Sequence, residues 1–315
     1  MSTVLFHRNF QRFQGGHLKV FHYFEHVRSS PLHDARIRFS GDSVWDASNP
    51  WSSLRETVVT AGEDPRADAL FLAGMDWQTL EPEQRASSPV PIVNLVQAVR
   101  HGRDTDPRHE FLAHPAIRIC VSAEIQEALE GVGSVEGPIF TVPIGVDLER
   151  LPVGRPAEER DIDCVVLAVK GRSLGRRIAD RLKAAGYRVL IVDRPMPRDE
   201  LLGAMARARV TVHLPRVLEG AYLPALESMA VGALVVCPDC VGNRSFCRDG
   251  DTCLVPERSE QAIVESALMA LTASADELGP MLASAHEESM GRGLTPERTR
   301  FLEILDHVDE LWAAR

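Results

Sequence analysis

The stretch VTVHLPRVLEGAYLPALESMAVGALVV, residues 210–236, leaves little freedom to any chain that contains it. The apolar run at 210–213, bounded by Pro215, has the length and setting of a buried parallel strand. Gly220 gives the following loop backbone freedom. Pro224 suits the first position of a helix, and Gly232 the residue just past its end. A second apolar run, LVV, closes the unit. In such a unit the amides of Gly220, Ala221, Tyr222 and Leu223 are unpaired donors at a positive helix terminus, a seat for a diphosphate. Glu219 stands before the helix and can accept hydrogen bonds from sugar hydroxyls. Glu227, about one turn inside, can hold a ribose diol. Each carboxylate taken alone is equally a capping or dipole device.

As a whole, EGAYLPALESMAVGALVV resembles the E-x7-E signature of retaining nucleotide-sugar glycosyltransferases of the GT-B fold, the glycosyltransferase family 4 type (glycosyl transferases group 1). The resemblance implies an α/β chain of two Rossmann-like βαβ domains facing an interdomain cleft, with a C-terminal helix packing back on the first domain. It also implies that Glu227 binds the nucleotide ribose and that Glu219 contacts the donor sugar.

The length of 315 residues accommodates two domains of about 150 each. We place the first at residues 1–152, the second at 153–295, and the returning helix at 296–315. A net charge of −10 argues against a general nucleic-acid binder or a protein held on anionic lipid by charge alone. No stretch approaches the roughly 18 apolar residues of a membrane span, and MSTVLFHRNF lacks the apolar core of a signal peptide. The expected location is cytoplasmic, with peripheral membrane contact left open.

The first half alternates strands and helices. Residues 3–6 read as a strand, and RNFQRFQGG leads into a helix over 17–28. In the resemblance, Gly15 and Gly16 open that helix close to the donor phosphates. Residues 37–39 and ADALFLAG read as strands, and Asn49-Pro50 as the start of a helix ending at Gly62. The strand in VPIVNLVQAVRHG is followed by Gln97, Arg100 and His101. Ligands of open α/β sheets bind beyond the carboxyl ends of strands, so His101 stands where an active-site residue belongs. The resemblance puts it near the reacting sugar; a locally bonded loop histidine is the other reading. AIRICVSAEIQEAL is a strand, a turn and a helix with Ser122 as N-cap. GPIFTVPIGVDLERL resembles the family's exit from the first domain, with Ile144 in place of its asparagine, and residues 149–161 read as a polar linker.

The second half opens on DCVVLAVKGR and the helix SLGRRIADRLKAAG. In the family a lysine and an arginine here neutralise the donor diphosphate; Lys170 and Arg172 fit, with Arg176 next. Arg177, Arg181 and Lys183 read as a solvated face. After the central stretch, VGNRSFCRDGDTCLVP resembles the family's post-strand loop, with Ser245 replacing its glutamate and Cys253 a glycine. Asn243 and Arg244 are candidate donor contacts, Arg244 equally a structural one. Cys237, Cys240, Cys247 and Cys253 lie close enough in sequence for a zinc site or disulfides, yet their segment is accounted for as a strand end and loop, so no metal is expected. SEQAIVESALMAL is an amphipathic helix capped by Ser259. A last helix from Thr295-Pro296 carries Phe301, Ile304, Leu305, Val308, Leu311 and Trp312 on one face.

The expected activity is transfer of a hexosyl-type sugar from a UDP- or GDP-sugar to a hydroxyl acceptor, with retention and without cofactor or metal. Glycan, lipid-linked glycan, small metabolite, protein and nucleic acid all remain open as acceptors. A nucleotide-sugar epimerase or a non-catalytic sugar-nucleotide binder on the same fold is the alternative.

Overall fold

The apolar runs of the first half pair into one parallel sheet in the computed structural model, which describes residues 1–60, 63, 66–156 and 159–315. Strand β1 (Ser2–Arg8) leads through helix α1 (Gly15–Arg28) to β2 (His33–Phe39) and β3 (Ala69–Ala73). Helix α2 (Pro82–Ala86), β4 (Ile92–Val96), β5 (Ile117–Cys120), α3 (Ala123–Glu130) and β6 (Ile139–Thr141) follow. The sheet order is β2-β1-β3-β4-β5-β6. Strands β4 and β5 are buried at every position, which is why they read as continuous apolar runs instead of alternating ones. Their two polar residues satisfy each other: Arg118 donates to Asn94 Oδ1 at 2.7 Å and also to the carbonyls of Phe111 and Leu112.

The Asn49-Pro50 helix does not form. Asn49 closes a turn instead, its Oδ1 accepting from the Trp51 amide and its Nδ2 donating to the Val44 carbonyl. Trp51 is fully buried, edge-on to Phe21 and Phe24, and that burial fixes the turn. A 3-10 turn, Arg55–Thr57, is what remains of the helical tendency; the expected end at Gly62 lies outside the described residues. Ser122 stands at the N-cap of α3, but its side chain makes no capping bond.

A second parallel sheet has the order β10-β9-β7-β8. Its chain order is β7 (Ile162–Leu167), α4 (Arg172–Ala184), β8 (Val189–Val192), α5 (Arg198–Ala206), β9 (Ala208–His213), α6 (Leu223–Ala230) and β10 (Leu234–Val236). Helices α7 (Glu260–Thr272) and α8 (Ala275–Met290) complete it. Gly232 ends α6 in the left-handed region (φ +73°), letting its amide reach the Met229 carbonyl while the Ala233 amide reaches that of Ser228. Helix α8 escapes the periodicity reading, although SADE at 274–277 is a capping box: Ser274 Oγ accepts from the Glu277 amide, and Glu277 accepts from the Ser274 amide. Residues 149–161 are more than a linker. Arg160 is buried and donates to the carbonyls of Arg155, Val231 and Ala208, bracing the segment on this sheet's helices and strands.

Helix α9 (Leu294–Asp306) and helix α10 (Val308–Ala313) end the chain. By internal contacts one unit comprises Met1–Ile144 with Thr295–Arg315, and the other Gly145–Leu294. Phe301, Ile304 and Leu305 of α9 are buried, Phe301 packing edge-on to Tyr23. The expected continuous stripe breaks at His307, and Val308, Leu311 and Trp312 of α10 are half-buried. A polar cluster also fastens α9. Buried Glu297 accepts from Lys19 Nζ at 2.7 Å and lies 2.8 Å from His26 Nε2, while Asp306 pairs with His33 at 2.8 Å.

Candidate functional site

In the second unit the chain runs from β7 outward to β8 on one side, then crosses back to β9 on the other. The carboxyl ends of β7 and β9 therefore flank a topological switch point, the place where ligands of open α/β sheets bind. Lys170 follows β7 and Glu219 follows β9, and they meet there: Lys170 Nζ donates to Glu219 Oε2 at 2.6 Å. Glu219 Oε1 accepts from the Arg216 amide. The Lys170 side chain keeps 43% of its surface exposed and its ammonium lies 6.0 Å from the Tyr222 ring centroid.

The loop before α6 is held from behind. The Tyr222 amide donates to the Gly242 carbonyl, so one of the four expected free donors is engaged. The amides of Gly220, Ala221 and Leu223 donate to nothing among the described residues. Pro224 has no amide hydrogen, so the unengaged donors at the start of α6 are those three groups. Gly242 lies so near that a Cβ there would stand 2.7 Å from the Ala221 nitrogen and 2.8 Å from the Gly220 carbonyl carbon. Both neighbours are backbone, so Gly242→Ala must displace the loop. We expect it to cost about 1–3 kcal/mol, read by thermal denaturation; an unchanged melting temperature would show that the loop yields freely.

Beneath the loop, Tyr222 is buried edge-on to His213, whose Nε2 contacts Thr211 Oγ1 and Ser228 Oγ. Burial pushes His213 down to about 3, so this imidazole is a neutral core group. Glu227, only 1% exposed, presents Oε1 to Arg198 Nη2 at 2.5 Å. Arg198 opens α5 and is the partner that reading the sequence missed; its only trace there is an arginine in the first turn of a helix, where the dipole disfavours positive charge.

The remaining candidates of this unit divide. Arg172 is exposed on the first turn of α4, close enough to Asp193 to help hold that carboxylate below its usual range, after the hydrogen bond from Arg176. Arg176 pairs with Asp193 at 2.6 Å. Arg244 forms a bidentate pair with Asp239. Asn243 is buried, its Oδ1 accepts from the Cys240 amide, and its Nδ2 donates to Cys237 Sγ and the Pro238 carbonyl. Its amide is spent on bracing the loop that carries Gly242. All six cysteines are free thiols, and among the described residues no group of His, Cys, Asp and Glu is arranged to hold a metal ion.

In the first unit, Gly15 and Gly16 are the opening residues of α1, and Gly16 lies against Gln97 from the loop after β4, whose Nε2 donates to the Gly16 carbonyl. A Cβ on Gly15 would meet nothing within 4 Å. His101 is 7% exposed and borders a small cavity with Gly74, Trp77, Asn94 and Arg108. Burial, then Arg108, pushes it down to about 3, leaving the ring neutral near neutral pH. Arg8, at the end of β1, pairs at 3.0 Å with buried Asp76, a pair the sequence did not reveal. Burial raises Asp76 to about 6 against the pull of Arg8.

Residues 153–273 match the family described as Glycosyl transferases group 1. No curated protein matches the chain. Among solved structures, HepE of Anabaena in complex with UDP-glucose is similar over 97% of this chain and 100% of its own, with a TM-score of 0.74 and 13% identity. Sucrose-phosphate synthase from Thermosynechococcus elongatus is similar over 100% of both chains, with a TM-score of 0.71 and 12% identity. A glycosyltransferase from Rickettsia africae gives a TM-score of 0.66 at 11% identity over 98% of each chain. No helix among the described residues is long and apolar enough to cross a membrane. Two parallel-sheet α/β units with these likenesses give the chain the GT-B fold, and its second unit carries the glycosyl transferases group 1 segment.

Proposed function

We propose that the protein is a retaining glycosyltransferase that moves a hexosyl-type sugar from a UDP- or GDP-sugar to a hydroxyl acceptor without a metal. The observation that carries this reading is the meeting of Lys170 and Glu219 at the switch point between β7 and β9, with three unengaged amides following Glu219 and with Glu227 inside the helix they open. The family match over this segment and the likeness to HepE, solved with UDP-glucose, support it.

In this reading the donor diphosphate sits over Gly220, Ala221 and Leu223, and Glu227 accepts from the ribose hydroxyls. Lys170 is shared between Glu219 and the diphosphate, and Arg172 adds charge from the first turn of α4, with Arg176 beside it. As the glycosidic bond breaks, negative charge grows on the departing diphosphate; fixed positive groups at that place stabilise it more than they stabilise the bound donor. Glu219, relieved of part of its ion pair, orients the sugar hydroxyls. On the first unit, Gly15, Gly16 and His101 keep the roles the resemblance gives them, and a neutral His101 offers a hydrogen bond and no charge.

A thermal-shift panel of UDP, GDP, ADP and their sugars tests the reading. A ligand at 100 times its Kd stabilises by about 2.7 kcal/mol, an easily read shift. We expect a uridine or guanosine ligand to stabilise, turnover to survive EDTA, and the transferred sugar to keep its anomeric configuration by NMR. A flat panel overturns the reading as a whole.

A further inference from the structure

Glu227 is almost fully buried, and a carboxylate in that position needs a counter-charge. Arg198 supplies it from a different helix. The contact uses Oε1 alone; among the described residues nothing bonds to Oε2. Arg198 is itself 27% exposed, so its guanidinium lies between the buried carboxylate and solvent. Helix formation does not account for an arginine at this position. It is the first residue of α5, after Pro197, and the acidic pair Asp199 and Glu200 that follows already serves the helix dipole. The pair with Glu227 does account for it.

We propose that Arg198 is a positioning residue for nucleotide recognition: it fixes one oxygen of Glu227 so that the other meets the ribose hydroxyls, and thereby makes the site prefer ribonucleotides to 2′-deoxyribonucleotides. The inference rests on the reading of the second unit as a nucleotide-diphosphate-sugar site. A charge-assisted hydrogen bond from a planar guanidinium holds the carboxylate oxygen in one place, which an ammonium on a flexible stem does less well. Ribose discrimination therefore depends on Arg198 as well as on the carboxylate it holds.

Isothermal titration of the full chain with UDP, GDP and their 2′-deoxy counterparts tests this, using wild type, R198M, R198Q, R198K and E227Q. Wild type is expected to prefer the ribonucleotide by tenfold or more. R198M should bind it about tenfold more weakly, with the ribo-to-deoxy ratio falling towards one, and R198K should recover part of the ratio. A lower melting temperature with an unchanged ratio in R198M would mean that Arg198 is merely structural and would overturn the inference. If R198M does not fold, R198Q decides on the same ratio. Loss of discrimination in E227Q with full discrimination in R198M overturns this inference and leaves the functional reading standing. Wild type binding the nucleotides without ribose preference overturns this inference alone, whereas wild type binding none of the four overturns the functional reading and the inference with it.

Discussion

Replacing Glu227 with alanine is expected to weaken binding of the donor nucleotide about 10- to 100-fold while leaving the fold intact. A hydrogen bond to a charged group contributes about 1.5–3 kcal/mol, so this loss corresponds to about one such bond between the ribose diol and Oε2. The fold survives because, among the described residues, the Glu227 side chain bonds to Arg198 alone, which is partly exposed and can turn to solvent. Titration of UDP and GDP into E227A measures the loss, and circular dichroism checks the fold. Wild-type affinity in the variant would sink the assigned role.

The largest effect on stability is expected at the other end of the chain. Glu297→Gln leaves Lys19, 1% exposed, without its carboxylate, and removing one partner of a buried pair costs about 3–5 kcal/mol. For a unit of this size that lowers the melting temperature by on the order of 10 °C. Burial alone would raise the Glu297 pKa, but Lys19 and the bond from His26 outweigh it and hold it below its ordinary 4.5. A carboxylate depressed by folding contributes stability that is present above its unfolded pKa and is lost as pH falls through the folded value. Wild-type stability should thus decline below about pH 4.5, and E297Q should show a smaller acid-dependent loss. Calorimetry of both proteins between pH 3 and 7 tests the pair; equal melting temperatures at pH 7 would refute the assignment of stability to this cluster.

Local chemistry was legible in the sequence, and distant pairing was not. Strands such as β4 and β5 announce themselves because both faces are buried, and Gly232 and Ser259 mark helix ends through backbone rules that act within a few residues. The loop from Glu219 into α6 was readable for the same reason. Lys170 and Glu219 stand 49 residues apart, and Arg198 and Glu227 stand 29 apart. No periodicity links such partners; they meet because a parallel sheet gathers the carboxyl ends of its strands. The bonds of Asn243 were equally invisible, because in sequence a polar residue after a strand looks the same whether it faces a ligand or braces a loop. The false helix at Asn49-Pro50 gave way to Trp51, whose burial outweighs a favourable capping pair.

The split of the first unit across the sequence has a consequence for synthesis. Val146 and Gly293 form a bridge, so the second unit enters and leaves at neighbouring points and closes upon itself. It can fold on the ribosome as soon as it has emerged. The first unit cannot be finished then, because residues 295–315, with Phe301 for its core and Glu297 for Lys19, are translated after the second unit. The earlier-made half must wait, with a lysine lacking its counter-ion and an aromatic surface uncovered, and nascent chains are most open to misassembly in that interval.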